Sequence, residues 1–280
     1  MNASNENDQP IIRLEKVYKS FGRQVVLRGI DLAIQPGKTT VIIGPSGCGK
    51  SVLLKHIVGL IKPDRGEVFF GNWRISAMSE RQLVPIRRQM GFLFQGGALF
   101  DSMTVEENIR FPLIESGLGT EQDQHDRCRT VLRLVGLDGT QEKYPEELSG
   151  GQKKRVALAR AIALDPKVIL YDEPTTGLDP IRADLINELI LKLQSALSTT
   201  AVVVTHDMSS ARKIADRILM LDAGRFLVDT TPQGLEGVDD KIVARFVQGR
   251  ASDEELAQLR TGRLEGSIWQ ADNEQAEEPR

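Results

Sequence analysis

Thr40-Val41-Ile42-Ile43-Gly44-Pro45-Ser46-Gly47-Cys48-Gly49-Lys50-Ser51-Val52 sets an apolar run, a glycine-rich turn and the start of a helical pattern side by side. A short apolar run, Thr40 to Ile43, reads as a strand. It breaks into a glycine-rich turn, and a helical pattern follows from Ser51 to Leu60. Strand, turn and helix in that order are the setting in which G-x-x-x-x-G-K-S wraps a phosphate. Glycines at 44, 47 and 49 let the backbone curl until successive N–H groups face one anion, and the helix N-terminus adds positive potential. Lys50 is then placed for the β and γ phosphates of a nucleotide and the Ser51 hydroxyl for Mg²⁺, with Pro45, Ser46, Cys48 and Val52 completing the cradle.

Outward from this loop, residues 11–43 read as strands, with turns at Gly22 and Pro36-Gly37. Gly59 and Pro63 stop the helix ahead of a further expected strand pair, Glu67 to Phe70 and Met90 to Phe94. Residues 97–147 are charged and helical in period, interrupted at Pro112 and Gly117-Leu118-Gly119 and ending at Pro145, which predicts an inserted helical subdomain. Strands return at Val168 to Tyr171, Ala201 to Thr205 and Ile218 to Leu221, each separated by a helix-length segment. This alternation predicts an α/β fold, a mostly parallel sheet covered on both faces. Beyond Asp229 an amphipathic stretch carries Ile242, Val243, Phe246 and Val247, and the tail past Trp269 is expected to be disordered. No internal repeat is evident, so one nucleotide module is expected per chain.

Composition narrows the function classes. With 280 residues and 40% hydrophobic side chains the chain can bury a sizeable core. No apolar run approaches the ~20 residues of a bilayer span, and Met1 to Pro10 is polar rather than a signal segment. Two cysteines leave no disulfide framework and suggest a reducing compartment. A net charge of −3 gives no footprint for nucleic acid, and the short clusters Arg87-Arg88 and Lys153-Lys154-Arg155 read as solvated faces or anion contacts.

Two further stretches carry chemistry. Leu148-Ser149-Gly150-Gly151-Gln152 precedes a predicted helix from Gln152 to Ala163, so Ser149 and Gly151 offer a hydroxyl and backbone donors to an anion. The chain's own phosphate loop lies far along the fold. The anion is therefore expected from a second copy, giving a head-to-tail homodimer with two composite sites and Asp179 at the interface. Val168-Ile169-Leu170-Tyr171 ends in Asp172-Glu173-Pro174, which brings two carboxylates to the sheet edge beside the loop. Asp172 is expected in the magnesium shell, and Glu173 as the group polarising the attacking water. His206, past Val202-Val203-Val204-Thr205, is placed for the γ phosphate. Gln95 is placed for the metal and the water, at the entrance to the helical insert. Phe21 offers a ring to adenine; Tyr18 is the alternative, and either could belong to the core.

With these motifs in order over residues 11 to about 230, the chain resembles the ATP-binding subunit of ATP-binding cassette transporters. The resemblance implies a RecA-like P-loop NTPase core with an antiparallel β subdomain and an inserted α-helical subdomain. It implies an ATPase domain over 11–247, its helical part at about 97–163, and a partly disordered extension over 248–280. It also implies that ATP closes the dimer, that hydrolysis reopens it, and that Gln95 and the segment after it transmit force to an integral membrane permease. Two departures are Thr176-Gly177-Leu178-Asp179 for the frequent Ser-Ala-Leu-Asp, and Lys153-Lys154 where Gln-Arg is common.

Phe94-Gln95-Gly96-Gly97-Ala98-Leu99-Phe100-Asp101-Ser102, Thr104 to Asn108, Phe111-Pro112-Leu113 and Phe246-Val247-Gln248-Gly249 further resemble the ATPase of Mla/Mkl-type phospholipid transport systems. That resemblance implies a peripheral protein at the cytoplasmic face of the inner membrane that helps maintain outer-membrane lipid asymmetry. Its partners would be a permease, an MCE-domain lipid-binding protein and a small STAS-type cytoplasmic subunit. An importer of amino acids or other small solutes is the alternative within the class. Soluble cassette ATPases of translation or DNA repair usually carry two cassettes or a long coiled coil, which this chain lacks. A nucleotide sensor without turnover fits poorly with intact Glu173 and His206.

Overall fold

A computed structural model of the chain describes residues 9–251 and 256–257, which fall into two compact units divided between Gly237 and Val238. In the first unit, β1 (Ile12–Phe21), β2 (Gln24–Ile34), β4 (Arg65–Phe70) and β5 (Trp73–Arg74) form an antiparallel sheet in the order β2-β1-β4-β5. Ile12, Leu14 and Val17 of β1 all face inward despite their uneven spacing. A register shift between Leu14 and Val17, with Lys16 at φ 47°, inserts the extra residue that a β-bulge provides.

The second sheet holds β3 (Thr39–Ile43), β6 (Met90–Leu93), β7 (Val168–Asp172), β8 (Thr200–Thr205), β9 (Arg217–Asp222) and β10 (Arg225–Thr230), in the order β10-β9-β3-β8-β7-β6. β3, β6, β7, β8 and β9 are parallel, and only the β9–β10 hairpin is antiparallel. All residues of β3, β7 and β8 are buried, as a sheet covered on both faces demands. Its helices are α1 (Lys50–Ile57), α2 (Glu80–Arg87), α3 (Val105–Glu115), α4 (Glu121–Leu134), α5 (Gly150–Ala161), α6 (Pro180–Leu197) and α7 (Met208–Ile214). α3, α4 and α5 pack on one another as the inserted helical part. In the second unit, α8 (Lys241–Gln248) takes up the amphipathic stretch and is capped by the Asp240 carboxylate. The tail past Trp269 lies outside the described residues. No helix among the described residues is long and apolar enough to cross a membrane.

Three local expectations need correction. Glu67 to Phe70 and Met90 to Phe94 do not pair: β4 joins the antiparallel sheet, while β6 joins β7 with Met90 opposite Val168. Short apolar runs carry no local record of their partner, and α2 intervenes, capped by Ser79 and Gln82. Pro112 does not interrupt the helix but sits inside α3, the ring lining an apolar groove where packing overrides propensity. The helix after Ser149 begins at Gly150, not Gln152, because the Ser149 side chain caps it directly.

β6 lies against α5 at Gly91, where a Cβ would stand 2.5 Å from the Ala161 carbonyl oxygen. Gly91→Ala should therefore push the edge strand from the helix at a cost of about 1–3 kcal/mol. The expected result is a thermal midpoint lower by several degrees in calorimetry, and an unchanged midpoint would show that this contact relaxes freely.

Candidate active site

Parallel register assembles the site. Ile43 of β3 lies opposite Thr205 of β8, Val204 of β8 opposite Asp172 of β7, and Tyr171 of β7 opposite Leu93 of β6. The residues that follow these strands, Gly44, His206, Glu173 and Gln95, are thereby delivered to one carboxyl edge, where open α/β sheets bind ligands. Gly44 runs so close to β9 that a Cβ would meet the Leu221 carbonyl oxygen at 2.1 Å. Among the described residues, α1 is the one α-helix whose N-cap is glycine, Gly49 in the left-handed region with no side-chain cap, whereas α2 to α8 start on Ser, Thr or Asp. Its first N–H groups are left to face an anion.

Lys50, only 6% exposed, donates to the Gly44 and Pro45 carbonyl oxygens at 2.8 and 2.9 Å, and its Nζ lies 3.8 Å from Glu173 Oε1. The Ser51 hydroxyl donates to Asp172 Oδ1 at 2.7 Å. Burial raises the Asp172 carboxyl above its usual range, with the Glu173 charge adding to the shift and the Ser51 hydrogen bond opposing it. A buried carboxylate beside a hydroxyl, with its charge disfavoured, is a donor set that a divalent cation would stabilise.

Glu173 is held from several sides. It is a non-glycine at φ 50°, and its N–H donates to the Val204 carbonyl oxygen at 2.9 Å. Its Oε2 lies 2.9 Å from His206 Nδ1 and accepts from the Thr176 hydroxyl at 3.1 Å and the Thr205 hydroxyl at 3.4 Å. Several contacts together hold a backbone conformation that would otherwise cost about 1–3 kcal/mol.

Lys50, Ser51, Gln95, Glu173 and His206 share one cleft of about 340 Å³ with Ser46, Gly47, Gly49 and Val52. Gln24 and Val26 of β2 also line it. The sequence reading missed both, although their two-residue spacing on a strand could have suggested a shared face. Half-buried Cys48 stays within the loop. Phe21 does not line the cleft. It is 47% exposed at the end of β1, across the hairpin from Gln24, with Lys19 Nζ 5.5 Å from its ring centre. Tyr18 does not line it either; its hydroxyl packs over Gly29.

Ser149, Gly151 and Gln152 line a separate concavity of about 270 Å³ with Arg155 and Arg182, sharing no residue with the first. The Ser149 hydroxyl accepts from the Gln152 N–H at 3.4 Å, while Gln152 Oε1 accepts from the Ser149 N–H at 2.9 Å, a capping box. A Cβ on Gly151 would meet nothing nearer than Arg182 Cδ at 3.6 Å, ordinary contact. Asp179 caps α6, accepting from the Arg182 N–H at 3.0 Å and pairing with its Nε at 3.2 Å.

Residues 27–176 match the family model described as ABC transporter. The chain belongs to the ABC transporter family. It is 40% identical over 241 residues to the intermembrane phospholipid transport system ATP-binding protein MlaF of Escherichia coli strain K12, covering 86% of this chain and 90% of that one. It is 39% identical over 239 residues to the probable ribonucleotide transport ATP-binding protein mkl of Mycobacterium leprae strain TN, covering 85% of this chain and 69% of that one. Among solved structures it is similar to the ATP-binding cassette MJ0796, a dimer in a post-hydrolysis state bound to ADP and Pi. The two share 36% identity and a TM-score of 0.73, covering 79% of this chain and 98% of that one. This chain is thus an ATP-binding, ATP-hydrolysing cassette that supplies energy for transport.

Removing the Ser149 cap should be measurable without nucleotide. Ser149→Ala is expected to cost about 0.5–2 kcal/mol in denaturant unfolding, and a loss well below that range would show that α5 does not depend on its cap.

Proposed function

We propose that this ABC ATPase drives phospholipid transport between bacterial membranes as a head-to-tail homodimer, with Glu173 as the hydrolytic carboxylate. The observation that carries the catalytic part is the position of Glu173, strained in backbone and held by His206, Thr176 and Thr205 at the rim of the phosphate loop. The loop N–H groups and Lys50 bind the β and γ phosphates of ATP, and Glu173 orients a water in line with the γ phosphate. His206 fixes the carboxylate through Oε2 and faces the γ phosphate, and Gln95, which lines the same cleft, would join the water and the metal. Ser51 and Asp172 would hold Mg²⁺, which when bound neutralises phosphate charge. Phe21 is assigned to adenine and Asp179 to the dimer interface.

In the dimer, Ser149, Gly150, Gly151 and Gln152 close over the nucleotide of the other copy. Two observations support this: the separate concavity at the start of α5, and a Gly151 that its own fold does not require to lack a Cβ. The ATPase domain is taken as 11–247, with its helical subdomain at about 97–163.

An apolar groove of about 450 Å³ opens between β6 and α3, where Phe92 and Phe94 stack at 4.2 Å and Phe100 and Phe111 lie at 4.9 Å. Asn108, fully buried, donates to the carbonyls of Phe100, Met103 and Thr104, and Arg160 donates to those of Gly97 and Ala98. Between them they hold the groove's rim. This surface supports a contact with an integral membrane permease and hence a peripheral location at the cytoplasmic face of the inner membrane. The likeness to MlaF supports the phospholipid substrate, with an MCE-domain protein and a STAS-type subunit as partners. The mkl name supports a second reading, a nucleotide substrate.

Glu173→Gln is expected to lower phosphate release by about a hundredfold or more while ATP still binds; near-normal turnover would remove Glu173 from its role. Mass spectrometry of the complex captured from native membranes should find a multi-pass permease, an MCE-domain protein and phospholipid. A soluble solute receptor in their place would assign the chain to small-solute uptake, and bound nucleotide without lipid would favour the second reading.

A further inference from the structure

Lys154 lies in the second turn of α5, in a cluster whose charge predicts a solvated face, yet it is 8% exposed. Its Nζ donates to the Gln95 carbonyl oxygen at 3.2 Å and to the Glu173 carbonyl oxygen at 3.2 Å. Burial disfavours the charge of this ammonium, and the nearby Glu173 carboxylate opposes that effect. A cation kept inside at such a cost is held for its contacts, and both contacts are main-chain oxygens. It therefore fixes the course of two backbone segments rather than a side-chain rotamer. At Glu173 this completes a clamp: the N–H of the strained residue is tied to β8 and its carbonyl to α5.

We propose that Lys154 is a positioning residue for hydrolysis, joining the backbones of Gln95 and Glu173 to α5, the helix that begins at Gly150 behind its Ser149 cap. A shift of α5, when its N-terminus engages the other copy's nucleotide, then moves the carboxylate at this chain's own phosphate loop. Each composite site is in this way made sensitive to the occupancy of the other. The inference rests on Glu173 being the hydrolytic group. Displacement of a reacting group by about 1 Å is enough to slow chemistry substantially, so loss of the tie should reduce turnover without loosening the phosphate loop's grip on ATP.

The test is ATP hydrolysis by the full chain in complex with its membrane partner, for wild type, Lys154→Met, Lys154→Arg and Glu173→Gln. Lys154→Met, which keeps the length and loses the donors, should lower kcat about tenfold with KM for ATP within about twofold. Lys154→Arg should recover most of the lost kcat. An unchanged kcat in Lys154→Met overturns the proposal. So does a fall in kcat matched by a rise in KM, or an arginine variant as slow as the methionine one, because each marks simple packing. If Lys154→Met does not fold, Lys154→Gln is judged by the same kcat and KM criteria. Normal turnover in Glu173→Gln would instead overturn the assignment of Glu173, and separates that failure from a failure of the Lys154 tie.

Discussion

The parallel register of β3, β8 and β7 is the constraint on which the site depends. Ile43, Thr205, Val204 and Asp172 lie at matched positions, so the chain leaves three strands at one edge with Gly44, His206 and Glu173 as the next residues. A slip of one residue would turn every side chain of a strand to the opposite face. Such a slip would separate Ser51 from Asp172 and Lys50 from Glu173, and the apolar faces of β3, β7 and β8 make it costly because those strands are buried throughout. The polar site is thus aligned by apolar packing.

On this frame the buried charges constrain one another. Lys50 is held by Gly44 and Pro45 and faces Glu173 from the phosphate loop, while Lys154 reaches the backbone of the same glutamate from α5. Together they set Glu173 between the core that binds ATP and the helical part that packs as α3, α4 and α5.

Local motifs made much of this legible in the sequence. The strand, turn and helix around Gly44 to Ser51 are readable because they are neighbours in the chain, and the strand before Glu173 because it is an unbroken apolar run. What depended on distant packing was hidden. Met90 to Leu93 gave no sign that its partner is β7 rather than β4. Lys154 sits between two charged neighbours and reads as a surface residue, but the segment after β6 and the end of β7 enclose it. Arg155 of the same cluster donates to the Val135 and Gly136 carbonyls. Pro112 reads as a break because its missing N–H disfavours a helix interior, whereas the groove that uses its ring is a tertiary feature.

The two concavities of a single chain share no residue, and a composite site needs a second copy to bring them together. Sedimentation velocity of the Glu173→Gln chain, with and without ATP and Mg²⁺, tests this most directly when repeated with Gly151→Asp added. Composite sites require a dimer that forms only with nucleotide and is lost when the second substitution sets a carboxylate against the partner's γ phosphate. A species that stays monomeric with ATP, or a nucleotide-dependent dimer indifferent to Gly151→Asp, would show that the two concavities do not meet across copies.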